Sequence, residues 1–192
     1  MNKDLKIWKD FTRGEQYALE HIYHTYVDVL YRYGQKFTPD TNLIKDAIHD
    51  LFFDLIRTRS KLGETDNICF YLMRALRRRI AVVLQKAQSP MVSEDWQLEA
   101  HIAYSIEDEL IDKELLTERE KIIRDALGKL QPRQREILYY RFTCNFDYDE
   151  ICDLMNLKYD SARKLVFRSL QSLKRIYNAT LMVGLAMLNL MQ

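Results

Sequence analysis

An all-α fold is predicted by the composition of the chain and by the spacing of its apolar residues. The chain has 192 residues, 47% of them hydrophobic, and its five glycines and three prolines are too few for a β-rich protein. Apolar residues recur at intervals of three and four positions through most of the sequence. The length is enough for one large core or two small ones, and two small helical domains are expected.

The first half of the chain has the pattern of three amphipathic helices. Thr12 and Glu15 are spaced to cap a helix that runs to about Phe37. A second helix is expected over about residues 41–60 and a third over about residues 67–86. Each has an apolar face, so the three helices are expected to share one core, in a bundle of three to four helices.

A pair of helices joined by a short turn is predicted in the second half. Asp147 and Glu150 have the spacing of a capping box, and Asn156 tolerates the left-handed conformation that often ends a helix. Asp160 or Ser161 is expected to cap the following helix. That helix has a buried stripe made of Ala162, Leu165, Val166, Ser169, Leu170 and Leu173 and an outer face carrying Arg163, Lys164, Arg168, Lys174 and Arg175.

The basic second helix favours a helix-turn-helix motif, in which the second helix enters the major groove of DNA. The alternative is a helical hairpin whose charged face is only solvated. The coincidence of a capping box, a short turn and a basic second helix favours DNA binding.

The segment before this motif carries a further pattern. Its residues, with the start of the next helix, are Leu127, Leu130, Pro132, Arg133, Arg135, Glu136, Ile137, Leu138, Arg141, Tyr148, Glu150 and Ile151. Pro132 suits the first turn of a helix, where its missing amide costs nothing. The apolar stripe of that helix is expected to continue to Phe142 and to support the later helices. Together with the two helices, this segment resembles region four of bacterial sigma factors of the extracytoplasmic-function class, of the Bacteroidetes-like kind.

The first half resembles region two of the same family. Its second helix typically contains Asp-x-x-Gln-Glu-x-Phe, which binds the clamp helices of RNA polymerase. This resemblance implies contacts with core RNA polymerase, although a histidine replaces the usual glutamine. The matching residues are Asp46, His49, Asp50 and Phe52.

The third helix resembles the aromatic and basic helix that engages the minus-ten promoter element. The resemblance also implies that the 58–66 loop receives a flipped base of the melted strand, and that the basic helix of region four contacts the minus-thirty-five element. The minus-ten residues expected are Tyr71, Arg74, Arg77, Arg78 and Arg79, with Arg78 in place of a commonly seen asparagine. The minus-thirty-five residues expected are Ser161, Arg163, Lys164, Phe167 and Arg168.

Charge is distributed unevenly along the chain although the net charge is only +1. Residues 66–86 hold five bases and one acid, residues 158–175 hold six bases and one acid, and residues 94–120 hold ten acids and two bases. This pattern predicts two DNA-binding modules separated by an acidic linker. The boundaries expected are 1–86 for region two, 87–106 for the linker, 107–177 for region four and 178–192 for an apolar tail.

The linker and the tail each allow more than one interpretation. The linker residues Trp96, Leu98, Ile102 and Tyr104 either thread through polymerase or fold back on a module. Residues 179–191 are nearly all apolar but too short to span a bilayer, so we expect no membrane insertion. They are expected to pack on the recognition module, to dock a regulator such as an anti-sigma factor, or to anchor the chain at a membrane surface.

Catalysis and cofactor binding are not expected. The sequence has no glycine-rich phosphate loop and no nucleophile elbow, and Cys69, Cys144 and Cys152 lack the spacing of a zinc site. The odd cysteine count and the polar first residues favour the cytoplasm. The function predicted is that of an alternative sigma factor that binds core RNA polymerase and promoter DNA. The alternatives are a dimeric DNA-binding regulator with a helical sensor domain and a helical scaffold.

Overall fold

The computed structural model describes residues 3–88 and 118–190, with side chains described for residues 3–85 and 121–179. Within these ranges every regular element is helical, and the chain divides into two compact units, Met1–Ala100 and His101–Gln192. The predicted all-α fold with two helical units is confirmed. Apart from residues 87 and 88, the predicted linker lies outside the described residues.

The first unit is a bundle of four helices. α2 contacts the other three helices, and α3 and α4 pack against each other. Its core contains large side chains from every helix, including Trp8, Ile22, Leu51 and Leu76. The elements are α1 (Lys3–Arg13), α2 (Gln16–Gln35), α3 (Thr41–Thr58), a 3-10 turn (Arg59–Lys61) and α4 (Ile68–Gln88).

α1 is a helix that the sequence patterns did not predict. It ends at Gly14, whose φ of 100° suits glycine, and the amides of Gly14 and Glu15 close the helix end on the carbonyls of Phe11 and Asp10 at 2.9 and 3.1 Å. The predicted cap by Thr12 and Glu15 is therefore wrong. Thr12 lies inside α1, where its hydroxyl donates to the Lys9 carbonyl at 2.9 Å.

The contact between α2 and α3 depends on a glycine and begins beside a helix cap. A Cβ atom on Gly34 would lie 2.6 Å from Cγ2 of Ile44, so only glycine allows this close approach. α3 begins after Asp40, whose carboxylate accepts hydrogen bonds from the amides of Asn42 and Leu43 at 3.0 and 3.1 Å. These two features place Ile44 in the core.

The second unit is organised around its longest helix. α8 contacts α5, α6 and α7, and its buried residues Ala162, Val166 and Ser169 face them. Pro132 occupies the first turn of α6, as predicted. The elements are α5 (Glu118–Gly128), α6 (Pro132–Leu138), a π-helical turn (Tyr139–Thr143), α7 (Tyr148–Met155) and α8 (Tyr159–Leu190).

The π-helical turn changes which residue enters the core. Its wider turn closes through a hydrogen bond of 3.0 Å from the Cys144 amide to the Tyr139 carbonyl. Because the turn adds a residue, the helical register shifts: Tyr140 is buried, and Phe142 is 61% exposed. The predicted continuation of the apolar stripe to Phe142 is therefore wrong.

The predicted tail begins as a continuation of α8. The helix extends to Leu190, and the side chains from residue 180 onward lie outside those described. The three interpretations of the apolar tail therefore stay predictions. In the described part of the chain, no helix combines the length and the apolar character required to cross a membrane.

Candidate nucleic-acid interface

α7 and the turn after it have the local geometry of a helix-turn-helix motif. The Asp147 carboxylate accepts a hydrogen bond from the Glu150 amide at 2.8 Å, and Glu150 accepts one from the Asp147 amide at 2.9 Å. Asn156 ends the helix with a φ of 50°, and the Leu157 amide donates to the Cys152 carbonyl at 3.0 Å. The predicted capping box and left-handed helix end are confirmed.

α8 begins at Tyr159, so the predicted cap by Asp160 or Ser161 is wrong. Its first turn is held by an aromatic contact instead. The ring of Tyr159 lies 5.4 Å from that of Tyr148, and the guanidinium of Arg141 lies 5.0 Å from the centre of the Tyr148 ring. Arg141 also donates to the Phe146 carbonyl at 2.8 Å, which connects the π-helical turn to the start of α7.

The outer face of α8 presents the predicted minus-thirty-five residues together. Their side chains are all exposed, whereas Ala162, Val166 and Ser169 are buried behind them. The buried Ser169 hydroxyl is satisfied by a hydrogen bond of 2.7 Å to the Leu165 carbonyl. Leu170 is 41% exposed, which contradicts its predicted place in the buried stripe. The exposed set is Ser161, Arg163, Lys164, Phe167 and Arg168.

The arginines of α4 lie in different environments. Arg74 and Arg78 are exposed, and the guanidinium of Arg77 lies 5.9 Å from the centre of the Phe37 ring. Arg79 is half-buried and donates a hydrogen bond to the Asp54 carboxylate, which Arg57 also reaches at 2.6 Å. The hydrogen bond from Arg79, aided by Arg57, lowers the pKa of Asp54 below 3.8.

Tyr71 belongs partly to the core of the first unit. Its ring lies 4.8 Å from the ring of the buried Trp8, and burial raises the pKa of its hydroxyl. The sequence could not place Tyr71 on Trp8, because α1 was not predicted.

α3 separates the predicted polymerase residues into an exposed set and a buried one. Asp46, His49 and Asp50 are exposed on one face, and His49 Nδ1 lies 3.8 Å from a carboxylate oxygen of Asp50. Phe52 is only 6% exposed, and its ring packs 5.0 Å from that of Tyr23. Phe52 therefore supports this face from within the core.

α3 has an exposed aromatic residue that was not predicted. Phe53 follows Phe52 directly, and it is 61% exposed. Two adjacent residues on a helix point about 100° apart, so only one of the two rings can occupy the centre of the buried face. The adjacent pair was the available signal. Ile56, 40% exposed, lies one turn further along the helix.

A groove between α3 and α4 brings the two predicted sets of the first unit together. Its volume is about 860 Å³, with Asp46 and Asp50 on one wall and Arg78 and Arg79 on the other. The exposed residues Val82 and Val83 extend the second wall. Among the described residues, no group of histidine, cysteine or carboxylate side chains is placed to hold a metal ion.

The comparisons with known proteins agree with this geometry. Residues 120–173 match the family model of sigma-70 region 4, and this match contains the whole of α6 and α7 and the exposed residues of α8 from Ser161 to Arg168. No curated protein matches the chain in sequence.

Two solved structures share the fold. The chain is similar to CnrH in complex with the cytosolic domain of CnrY, with a TM-score of 0.54, 14% identity, and coverage of 92% of this chain and 97% of that one. It is also similar to the sigma factor RpoE in complex with the anti-sigma factor NepR from Bartonella quintana, with a TM-score of 0.54, 12% identity, and coverage of 83% and 96%.

The predicted resemblance to sigma factors is confirmed, while its Bacteroidetes-like character stays a prediction. The family match falls on the helix-turn-helix motif, and the shared fold extends over most of the chain. Residues 120–173 are therefore similar to sigma-70 region 4, and the chain has the fold of CnrH and RpoE.

Proposed function

We propose that this chain is a sigma factor that binds core RNA polymerase through α3, contacts the minus-ten element through α4, and contacts the minus-thirty-five element through α8. The observation that carries the proposal is the exposed basic face of α8 behind a fully capped α7, within the region 4 match. A recognition helix needs side chains that reach base edges and a buried face that fixes its angle. α8 has both.

The proposed minus-thirty-five contact uses both long and short side chains. Arg163 and Arg168 can each form two hydrogen bonds to a guanine, while Lys164 offers a point charge for a phosphate. Ser161 lies in the first turn of α8, close to where the helix dipole attracts a phosphate. Phe167, 61% exposed, offers an apolar contact for a thymine methyl group.

The side chains proposed for the minus-ten contacts differ in their exposure and in their partners. The side chains of Arg74 and Arg78 are the exposed ones of this set. Arg77 and Arg79 contact Phe37 and Asp54, so their guanidinium groups would have to exchange those partners for phosphates. We assign Arg74 and Arg78 the first contacts, and we assign Tyr71, Arg77 and Arg79 to the interface that forms after them.

The proposed polymerase contact combines charge with an apolar centre. Asp46, His49 and Asp50 form the polar part, and Phe53 provides the exposed ring that interfaces often bury. Phe52 acts from the core by fixing the helix against Tyr23.

The proposed role includes no catalysis by the chain itself. It also implies that the chain acts with polymerase in the cytoplasm.

We also propose that an inhibitor protein controls this chain. The similar structure of RpoE contains an anti-sigma factor, which supports control of this chain by such a protein. The exposed apolar residues Phe53 and Phe167 lie within the surfaces proposed for polymerase and DNA. An inhibitor that covers them would prevent both contacts.

Run-off transcription on genomic fragments, with purified chain and core polymerase, tests the proposal. The wild-type chain is expected to copurify with polymerase and to start transcripts at defined sites. The double variant Asp46→Ala and Asp50→Ala is expected to lose polymerase binding. Asp28→Ala, which removes an exposed acid from α2, is the matched control. A chain that binds a palindrome as a dimer and never retains polymerase would instead support the helical regulator.

A further inference from the structure

Three side chains of α1 contact the 58–66 loop and the start of α4. The indole nitrogen of Trp8 donates a hydrogen bond to the Gly63 carbonyl at 2.8 Å. The ammonium of Lys9 lies 3.1 Å from a carboxylate oxygen of Glu64. A carboxylate oxygen of Asp4 accepts a hydrogen bond from the Ile68 amide at 3.0 Å. α1 therefore holds the middle of the loop and the first residue of the next helix.

The beginning of the loop is also in contact with this part of the chain. The guanidinium of Arg59 lies over Gly14, where a Cβ atom would be 3.4 Å from it. The contacts of α1 and the turn after it thus extend from the first residues of the loop to its end.

The contacts differ in how firmly they can hold the loop. Trp8 is fully buried, with its ring 5.6 Å from Phe11 and 4.8 Å from Tyr71. A buried ring packed on two others keeps one orientation, so its N–H group is a fixed donor. The Lys9–Glu64 pair is exposed to solvent and adds less.

The loop itself is exposed, which makes an external support important. Ser60, Lys61, Gly63 and Glu64 all have exposed side chains or backbone, and the space around Gly63 is open. Ordering a mobile loop around a ligand costs conformational entropy, and this cost is smaller for a loop that is already held in shape. Trp8 also contacts Tyr71, a proposed minus-ten residue, so one side chain positions both.

We propose that Trp8 is a positioning residue for the single-stranded promoter base, and that α1 fixes the shape of the 58–66 loop that receives it. This inference rests on the proposed function and on the role in binding a flipped base that the resemblance to region two implies for the loop. Trp8 itself does not contact DNA in this proposal. Its effect passes through the Gly63 carbonyl and the Tyr71 ring.

Trp8→Phe tests the inference in the full chain, because phenylalanine keeps an aromatic ring and removes the N–H donor. Hydrogen exchange of residues 61–66 in the free protein is expected to become about five to ten times faster, the size expected for one lost hydrogen bond. Tyr17→Phe is the matched control, since it also removes one aromatic hydrogen bond, that to Asp10, outside the loop.

The functional arm measures the holoenzyme on two DNA probes. With Trp8→Phe, binding to a single-stranded minus-ten oligonucleotide is expected to weaken about three- to tenfold, and permanganate reactivity of the duplex promoter is expected to fall. Binding to core polymerase and to a minus-thirty-five duplex is expected to stay unchanged. A merely structural role for Trp8 would weaken all of these alike.

Unchanged exchange in the loop would overturn the inference, and so would faster exchange with unchanged oligonucleotide binding. If Trp8→Phe does not fold, Lys9→Gln replaces it, because an exposed ion pair can be removed without unfolding the bundle. Lys9→Gln is then expected to speed exchange at Glu64 by a smaller factor, and no change would overturn the inference. A wild-type chain that opens no promoter with polymerase would defeat the proposed function, whereas the exchange result requires neither polymerase nor DNA.

Discussion

Asn156 shows how one residue fixes the turn between two helices. Its φ of 50° lies in the left-handed region, which asparagine tolerates better than other residues with a side chain. Asn156→Ala is expected to lower the free energy of unfolding by about 1 kcal/mol, and Asn156→Gly is expected to leave it nearly unchanged. Urea denaturation followed by circular dichroism measures both. Equal losses for the two variants would show that the asparagine side chain, and not the backbone, holds the turn.

Arg163 is the residue at which base recognition is most directly tested. It is exposed in the second turn of α8, and a pair of hydrogen bonds to guanine would contribute about 1–3 kcal/mol. Arg163→Ala is expected to weaken minus-thirty-five binding by this amount and to relax the preference at one promoter position. Fluorescence anisotropy on a set of single-base promoter variants measures it.

Lys129→Ala, which removes an exposed charge outside α8, is the control for this measurement. Weakening that is uniform across all promoter variants would mean that Arg163 contacts phosphate alone.

Single residues were predictable where the interaction is local. Asp147 and Glu150 bond within the first turn of α7, and Asn156 ends the same helix, so their spacing alone predicted their roles. Phe52 and Arg79 depend on other helices. Phe52 is buried by Tyr23, and Arg79 is bound by Asp54, and no pattern within α3 or α4 records which partner lies opposite.

The two helices α3 and α4 are joined by an ion-pair cluster that depends on pH. Asp54 receives Arg79 from α4 and Arg57 from its own helix. The lowered pKa means that the folded chain favours the charged carboxylate. The stability that this adds is complete above the usual aspartate pKa of 3.8 and is lost as the pH falls through the lowered value.

Asp54→Asn is therefore expected to make the unfolding free energy of the first unit depend less on pH in the acid range. Thermal melts of the full chain between pH 2 and pH 7 measure this, with Asp28→Asn, an exposed acid on α2, as control. The same variant releases Arg79, so it is also expected to increase minus-ten binding by the holoenzyme. If the stability of the variant falls in acid as steeply as that of the wild type, the assignment is contradicted.

At the level of elements, the strongly periodic helices were predictable and two features were not. α2, α3, α4 and α7 lie close to their expected ranges, whereas α8 continues to Leu190, beyond the expected stripe that ends at Leu173. α1 was missed although Leu5, Trp8 and Phe11 recur at intervals of three residues, because this pattern covers a helix of only 11 residues. The π-helical turn was missed because an added residue shifts the period at Phe142, and the sequence alone does not show where a turn widens.

At the scale of the whole molecule, an acidic segment lies between two basic modules in the sequence. The ten acids of residues 94–120 lie between the bases of α4 and those of α8. Most of this segment lies outside the described residues, so the prediction concerns its charge alone. We expect the acids to shield the basic helices and to keep DNA affinity of the free chain low.

Replacement of Glu94, Asp95 and Glu99 by glutamine tests this shielding. The triple variant is expected to bind promoter DNA more tightly than the wild type at about 50 mM salt and to lose most of the difference at about 200 mM. Anisotropy of the free protein at both salt concentrations measures it. Identical affinities at low salt would contradict the prediction.

The two-module organisation itself was predictable from the sequence, because charge and apolar spacing both change along the chain. The surfaces that each module exposes were not predictable from the sequence. The groove between α3 and α4, for example, combines acids and arginines that lie about thirty positions apart in the sequence and meet only through folding.

The uninterrupted length of α8 has a mechanical consequence. Its 32 residues extend for about 48 Å at 1.5 Å per residue, from the side chains proposed to meet the promoter to Leu190. A hydrogen-bonded rod of this kind resists bending, so a pull or a tilt applied to its last turns reaches the first ones as a lever arm would. A protein that binds the last turns of this helix would therefore change the angle at which its basic face meets DNA.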